Sequence, residues 1–478
     1  MSKIDALRQK IEKEISEQWD NDILQQVKDY IRIPNKSPMF DSKWKEHGYM
    51  DQAMDLMIKW CEKQPINGMT LDLVQLPERT PLLFIEIPGA IGETVLLYGH
   101  MDKQPEMVGW DENKGPWLPV MQGDKLYGRG GADDGYAVFS SLAAIAALQR
   151  HNIPHARCIL IIEACEESGS YDLPFYLEHL KPRIGTPNLV ICLDSGAGNY
   201  EQLWSTTSLR GLVGGDLTIE VLKEGVHSGM GSGIVPTTSM ILRQLLDRVE
   251  NKETGEILLD ELKVEIPEER IEQAKLTASE LGDSIVNAFP FIHKTRPVSN
   301  DTTDLLINRT WKARLSVTGM DGIPPSEIAG NVTLPRLSAK LSFRIPPTCD
   351  SKVAAKALKE TLEKNPPFDA KVTFNPEDKA NGWNAPELSP WLIETSNKAS
   401  ELFYQKPCAY IGEGGTIPFM GMLGDMYPEA QFLIAGVLGP KSNAHGPNEF
   451  LHIPMVKKLT CCVSAVLAYH FEHFQKNK

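Results

Sequence analysis

The chain has 478 residues, 42% of them hydrophobic and 23% charged, so it has material for more than one core and two or three domains are expected. A formal net charge of −14 with no basic stripe argues against nucleic acid or an anionic membrane as partner. Residues 1–13 are charged and do not read as a secretory signal, no apolar run reaches membrane-spanning length, and the eight cysteines are scattered without a Cys-x-x-Cys pair, which fits free thiols in a reducing cytoplasm.

In chain order, residues 2–33 read as a long amphipathic helix and 48–63 as a second one. Three strand-like runs follow, at 70–76, 81–87 and 94–102, then a Pro/Gly-rich loop over 110–131 and an Ala-rich helix over 136–150. Very apolar strands are expected at 158–162 and 188–193. Strands alternating with helices, each strand a continuous apolar run, indicate an α/β domain on a mixed, mainly parallel sheet. From about Leu209 the pattern becomes more alternating: strand 212–222, helix 236–250, strands 313–318 and 339–345, helix 351–364, strand 370–374. With a charged insertion at 251–311 set aside, this is the β-α-β-β-α-β order of a ferredoxin-like α+β domain. The α/β character then returns with a helix at 389–404, a strand at 431–438 and a helix at 454–474. The expected organisation is a discontinuous first domain, 1–208 and 386–478, interrupted by a second at 209–385.

Several acids and histidines stand just past apolar strands, or in the loops that follow: His100 and Asp102, Asp133 and Asp134, Glu166 and Glu167, and Asp194. In open α/β sheets the crevice at the strand C-termini is where ligands bind. His100 and Asp102 leave the strand on one side, as a metal ligand and the acid that orients it would. Taken alone, that pair suits a buried structural His–Asp hydrogen bond better. So many carboxylates in one place repel, however, and cations are the natural remedy. Oxygen ligands plus imidazole without thiolate suit zinc, manganese or cobalt. A second histidine is then expected, and His445, in a loop with Gly446 and Pro447, is the best candidate. If Glu166-Glu167 is extended, its two side chains face opposite ways, which suits two roles.

Gly99-His100-Met101-Asp102, Gly128-Arg129-Gly130 ahead of Asp133-Asp134, Glu166-Glu167-Ser168-Gly169-Ser170, Asp194-Ser195, and Ala444-His445-Gly446-Pro447-Asn448-Glu449 occur in that order. Together they resemble the two-metal peptidase family of carnosinase, cytosolic nonspecific dipeptidase, aminoacylase and succinyl-diaminopimelate desuccinylase, with the carnosinase-like branch nearer. The resemblance runs from about His47 to Pro454. It implies a zinc-exopeptidase-like catalytic domain with an inserted lid and dimerisation domain, and two divalent metal ions per subunit, zinc first, with manganese or cobalt as alternatives. Asp133 would bridge the ions, His100 and Asp194 would complete one site, and Glu167 and His445 the other. Asp102 would support His100, and Glu166 would be the general base. The Asp133-Asp134 peptide would be cis. In the lid, His227 of Gly225-Val226-His227-Ser228-Gly229 would stabilise the oxyanion at a dimer partner's site. Arg344 would clamp a substrate carboxylate, assisted by Asn331, and Gly414, Gly415 and Thr416 would hold the peptide.

The sequence departs from that family twice. Gly412 stands where an arginine usually precedes Glu413-Gly414-Gly415, and no histidine lies between His293 and His445, where carnosinase-type members carry a lid histidine. Both changes touch substrate binding. The resemblance thus implies a cytoplasmic, homodimeric, metal-dependent hydrolase of dipeptides or short peptides. An N-acyl-amino-acid amidohydrolase using the same site is the alternative.

Overall fold

The computed structural model describes residues 2–476, so the expected domain limits at Met1 and Lys478 lie outside the described residues. The chain divides into two compact units: Met1–Thr206 with Ala385–Ile411 and Met422–Lys478, and Thr207–Asn384 with Gly412–Gly421.

The first unit is built on a six-stranded sheet. Its strands are β1 (Thr70–Val74), β2 (Leu82–Ile87), β3 (Thr94–His100), β4 (Arg157–Glu163), β5 (Leu189–Cys192) and β6 (Gln431–Ile434), in the spatial order β1-β2-β4-β3-β5-β6. β4, β3, β5 and β6 run parallel, while β2 is antiparallel to both β4 and β1. The sheet is therefore mixed and mainly parallel, as expected. All seven residues of β3 are buried, as in a strand covered on both faces. The Ala-rich helix Ala137–Arg150 buries almost its whole length and packs against the C-terminal helix Ile453–Lys476. Small side chains let those helices approach, and a buried hydroxyl chain crosses between them: Trp19 Nε1 donates to Thr460 Oγ1 at 3.1 Å, and Thr460 Oγ1 is 3.0 Å from Ser140 Oγ.

Three expectations need correction. The opening helix is not uniform, because a π-helical turn, Trp19–Ile23, joins Lys3–Gln18 to Leu24–Ile31 and turns Trp19 and Ile23 into the core. The stretch read as loop over 110–131 holds two short strands, Val120–Gln122 and Lys125–Tyr127, and the latter pairs with Phe450–His452. Glu166–Ser168 is a 3₁₀ turn, not an extended segment.

The second unit carries a four-stranded antiparallel sheet in the order Arg314–Asp321, Arg336–Ile345, Gly211–Glu220, Lys371–Ala380. With helices Thr238–Leu246 and Ser351–Glu363 between strands, that order is ferredoxin-like. Burial alternates along Arg336–Ile345, and the inward residues meet Ile241, Leu245, Leu358 and Leu362 in one core. The insertion forms helices Glu268–Leu281, Ser284–Asn287 and Thr302–Thr310 around a small core of Ala278, Ile285 and Leu306.

One glycine locks the turn that follows Asp133. A Cβ on Gly135 would stand 2.0 Å from Tyr30 Cε1 and 2.7 Å from the Gly130 carbonyl oxygen. Tyr30 cannot yield freely, because its hydroxyl donates to the Met101 carbonyl at 2.6 Å. Gly135→Ala is expected to cost about 1–3 kcal/mol of stability, the usual penalty of overpacking, read as a lower denaturation midpoint. An unchanged midpoint would show that this contact is slack.

Candidate metal centre

The parallel strands deliver the site. β3 ends at His100 and β4 at Glu163, which are register partners, and β5 ends at Cys192 beside them. The loops that leave these ends carry Asp102, Glu166 with Glu167, and Asp194. The side chain of His100 is fully buried. Its Nδ1 lies 3.1 Å from the Asp102 carbonyl oxygen, to which it donates. That bond places a ring proton on Nδ1, so that in the neutral ring the Nε2 lone pair is free. Nε2 faces Asp133 Oδ1 at 3.3 Å and Asp194 Oδ2 at 3.6 Å.

The other oxygen of Asp133 faces a second imidazole. His445 Nε2 lies 3.0 Å from Asp133 Oδ2 and 3.4 Å from Glu167 Oε2. Among the described residues, His100, Asp133 and Asp194 form one group able to hold a metal ion, and Asp133, Glu167 and His445 form another. Asp133 belongs to both. Nitrogen and oxygen ligands bind zinc at about 2.0–2.2 Å, which in tetrahedral geometry sets them roughly 3.4 Å apart. The separations of 3.0 to 3.6 Å fit that requirement.

Asp102 does more than face His100. Its Oδ1 accepts the Glu166 N–H and its Oδ2 the Glu167 N–H, both at 3.0 Å. One buried carboxylate thus pins the 3₁₀ turn that bears both glutamates. Glu166 lies outside both donor groups. The Asp133-Asp134 peptide is cis. Asp134 Oδ2 accepts the His100 N–H at 3.3 Å.

Electrostatically the centre is overloaded with acid. Burial, with Asp194 next, pushes the Glu166 carboxyl well above its ordinary value, and burial with Asp133 does the same to Glu167. Asp133 behaves oppositely: burial opposes its ionisation, but hydrogen bonds from His100 and His445 hold it below the usual carboxylate range. Burial would depress His100, yet Asp194, Asp102 and Asp133 raise it.

Several residues of this centre had no role in the sequence reading. Gln104 Nε2 donates to Glu167 Oε2 at 2.6 Å. Arg129 and Glu449 form a buried ion pair at 2.6 Å. From it Arg129 Nη2 donates to the Gly446 carbonyl at 2.8 Å, and Glu449 Oε1 accepts the Gly130 N–H at 2.9 Å. This clasp ties the loop of Asp133 to the loop of His445. Buried Glu163, raised to about 7 by burial and Asp102, accepts from Tyr98 and Ser170 behind β3. The signal for the clasp was present as charge in two glycine-rich motifs, but nothing in the spacing linked them.

The remaining candidates lie in the second unit. Arg344 Nη1 donates to Thr416 Oγ1 at 3.2 Å, and Gly414 adjoins Arg210 and Arg309, whereas Gly415 has open space around it. His227 is exposed and its Nδ1 accepts the Gly229 N–H at 3.0 Å. His227 pairs across a two-residue ladder with Val332, and Asn331, just before that strand, accepts the Ser228 N–H on its carbonyl at 2.9 Å. At Gly412 a Cβ would meet Ser208 Oγ at 2.6 Å and Thr310 Cβ at 2.9 Å, so that position admits no side chain.

The chain as a whole is similar to known peptidases. The model of peptidase family M20/M25/M40 matches residues 96–469. A cysteinylglycine-S-conjugate dipeptidase of Corynebacterium striatum is 23% identical over 412 residues, 82% of this chain and 84% of that protein. The di-peptidase Dug1p of Saccharomyces cerevisiae superimposes with a TM-score of 0.77 at 21% identity, over 97% of this chain and 98% of that one. Human carnosine dipeptidase 1 gives 0.76 at 20%, over 98% and 99%.

Two outcomes follow for the metal-free protein. Glu166 and Glu167 titrate above their ordinary 4.5 and His100 above 6.5, so each binds more protons folded than unfolded. Stability therefore falls as pH rises through this range, whereas the contribution of Asp133 is already complete above 3.8. The thermal midpoint of chelator-treated protein should fall between about pH 5 and about pH 8, and added zinc should raise it most at the upper end. A flat profile would count against a buried excess of acid. Arg129→Met strands Glu449 without its partner and should cost about 3–5 kcal/mol in denaturant unfolding. Calorimetric titration should also show zinc binding weakened by about tenfold or more, since support of ligand loops is worth that much.

Proposed function

This chain belongs to peptidase family M20/M25/M40, and on that premise we propose that it is a metal-dependent dipeptidase working through two divalent cations, zinc first, with Glu166 as general base. The observation that carries this reading is Asp133, whose two carboxylate oxygens face the Nε2 atoms of His100 and His445, at 3.3 and 3.0 Å, one in each donor group. Zinc is favoured over softer choices because the donors are imidazole and carboxylate without thiolate, although manganese or cobalt would also suit them. Bound there, divalent cations would polarise the scissile carbonyl and acidify the attacking water.

The chain's own residues supply the rest. His100 and Asp194 would hold one cation, Glu167 and His445 the other, and Asp133 both. Glu166 is held by its backbone to Asp102 and lies in neither donor group, so its carboxylate is left to move protons. Its raised affinity for protons suits a base that takes one from water and returns it to the leaving amine. Arg344, with Thr416, would clamp the substrate's terminal carboxylate by its planar fork, and Gly414, Gly415 and Asn331 would bound the peptide. Exposed His227 would donate to the developing oxyanion in a homodimer joined through the second unit. Relatives named as dipeptidases favour a peptide over an N-acyl amino acid as substrate. A cytoplasmic setting is supported by eight buried cysteines, all free, and no helix of the described residues is long and apolar enough to cross a membrane.

Glu166→Gln should keep its metal content, measured by elemental analysis, while kcat drops by about 10²–10⁴-fold. A panel of dipeptides set against N-acetyl and N-succinyl amino acids tests the substrate class. Turnover confined to the acylated compounds, or full turnover after chelation, would overturn the dipeptidase reading.

A further inference from the structure

The loop that includes Glu413, Gly414, Gly415 and Thr416 is surrounded by more positive charge than its own acid can balance. Arg210, only 8% exposed, donates from Nε to the Gly414 carbonyl at 3.3 Å and from Nη1 to the Lys312 carbonyl at 3.5 Å. Both acceptors are neutral. Arg309, near the end of the insertion helix Thr302–Thr310, comes alongside: a Cβ on Gly414 would stand 3.1 Å from Arg210 Nη2 and 3.4 Å from Arg309 Cγ. The Nε of Arg309 is buried without a hydrogen-bond partner. Arg344 joins them through Thr416, whose hydroxyl accepts from Arg344 Nη1 and donates to the Arg210 carbonyl at 2.5 Å.

The acid the loop supplies is Glu413, and burial pushes its carboxyl above the ordinary range while Arg309 pulls it back. Burial, together with the charges of Arg344, Arg309 and Arg314, pushes Arg210 down to about 10. Cations this close repel unless an anion lies among them, and a guanidinium fork is shaped for a carboxylate. A single carboxylate engages one fork well. Three guanidinium side chains around one loop, Arg210 and Arg309 at Gly414 and Arg344 at Thr416, suit two carboxylates a short side chain apart.

We propose that Arg210, Arg309 and Arg344 form a binding site for a dicarboxylate, with the α-carboxylate on Arg344 and Thr416 and the side-chain carboxylate on Arg309 and Arg210. This deepens the dipeptidase reading and rests on it in one respect: the favoured substrates become dipeptides ending in Asp or Glu.

Calorimetric titration of the full-length, zinc-loaded protein with L-glutamate and L-glutamine tests the site without turnover. Glutamate should bind about tenfold tighter or better, the usual worth of a charge-assisted hydrogen bond, and Arg309→Gln should bring it to the level of glutamine. Equal affinities in the unaltered protein would overturn the proposal whatever the variant does. The ratio of kcat/KM for Ala-Glu over Ala-Gln separates the two readings. Dipeptides cleaved with no preference for Ala-Glu leave the dipeptidase standing and remove the dicarboxylate site. Tight glutamate binding without cleavage of any dipeptide does the reverse.

Discussion

Asp133, Glu166, Glu167 and Asp194 converge at the buried ends of parallel strands, and the first unit answers to the repulsion among them. Each would ionise readily in water, but burial and its neighbours oppose that for Glu166, Glu167 and Asp194. The protein relieves part of the conflict itself. Two imidazoles stand between the acids, and Asp102, fully buried, spends both oxygens on backbone N–H groups. What remains is an excess of carboxylate whose donor atoms are spaced as ligands about a small divalent ion are spaced. The same crowding leaves Glu166 beside the donor groups but in neither, which is where a proton carrier belongs.

Holding like charges together requires the loops to be fixed from outside the cluster. The N-terminal segment supplies one brace. Tyr30 and Asn35 both donate to the Met101 carbonyl at 2.6 Å, and the buried Lys103 ammonium donates to the Tyr30 and Ile33 carbonyls at 2.7 Å. Burial drives the pKa of Lys103 well down, and its site is lined by carbonyls and by the Tyr30 ring 3.8 Å away. The Arg129–Glu449 clasp supplies another, reaching 320 residues along the chain to set the His445 loop against the Asp133 loop. A buried ion pair is a poor source of net stability, but it fixes position, since removing either partner leaves an uncompensated charge. The short sheet that pairs Lys125–Tyr127 with Phe450–His452 joins the same two segments through the backbone.

How much of this could be read from sequence depends on range. The apolar strands 94–100 and 157–163 announce themselves because both faces are buried, so their ends, and the acids just past them, were visible. The alternating strands of the second unit were visible for the opposite reason, one face being polar. The pairing of Lys125–Tyr127 with Phe450–His452 was not, because three-residue strands carry no period and their partners are distant. Nor could periodicity show that Glu166 and Glu167 sit on a 3₁₀ turn. That turn depends on Asp102, a residue more than sixty positions earlier, accepting both amides. Gln104 escaped notice, and Glu449 stood in the His445 motif without a role, because a lone amide or acid in a loop has no signature until its partner is known.

The second unit makes the same point about selectivity. Sequence marks position 412 as a departure from the family's arginine, one that touches substrate binding. In the folded chain Ser208 and Thr310 close that position to any side chain. Thr310 ends the helix whose preceding residue is Arg309, so the element that excludes a guanidinium at 412 brings another to the same loop. Arg210 arrives from a third stretch of chain and is held by carbonyls. Charge near the loop is therefore set by which segments fold onto it and not by the loop's own motif. Glu167 and Asp194 follow strand ends the α/β fold must produce, whereas Arg309 depends on an insertion the ferredoxin-like core does not need. Ligand selectivity can on that account change with the insertion while the donor groups of the first unit stay as they are.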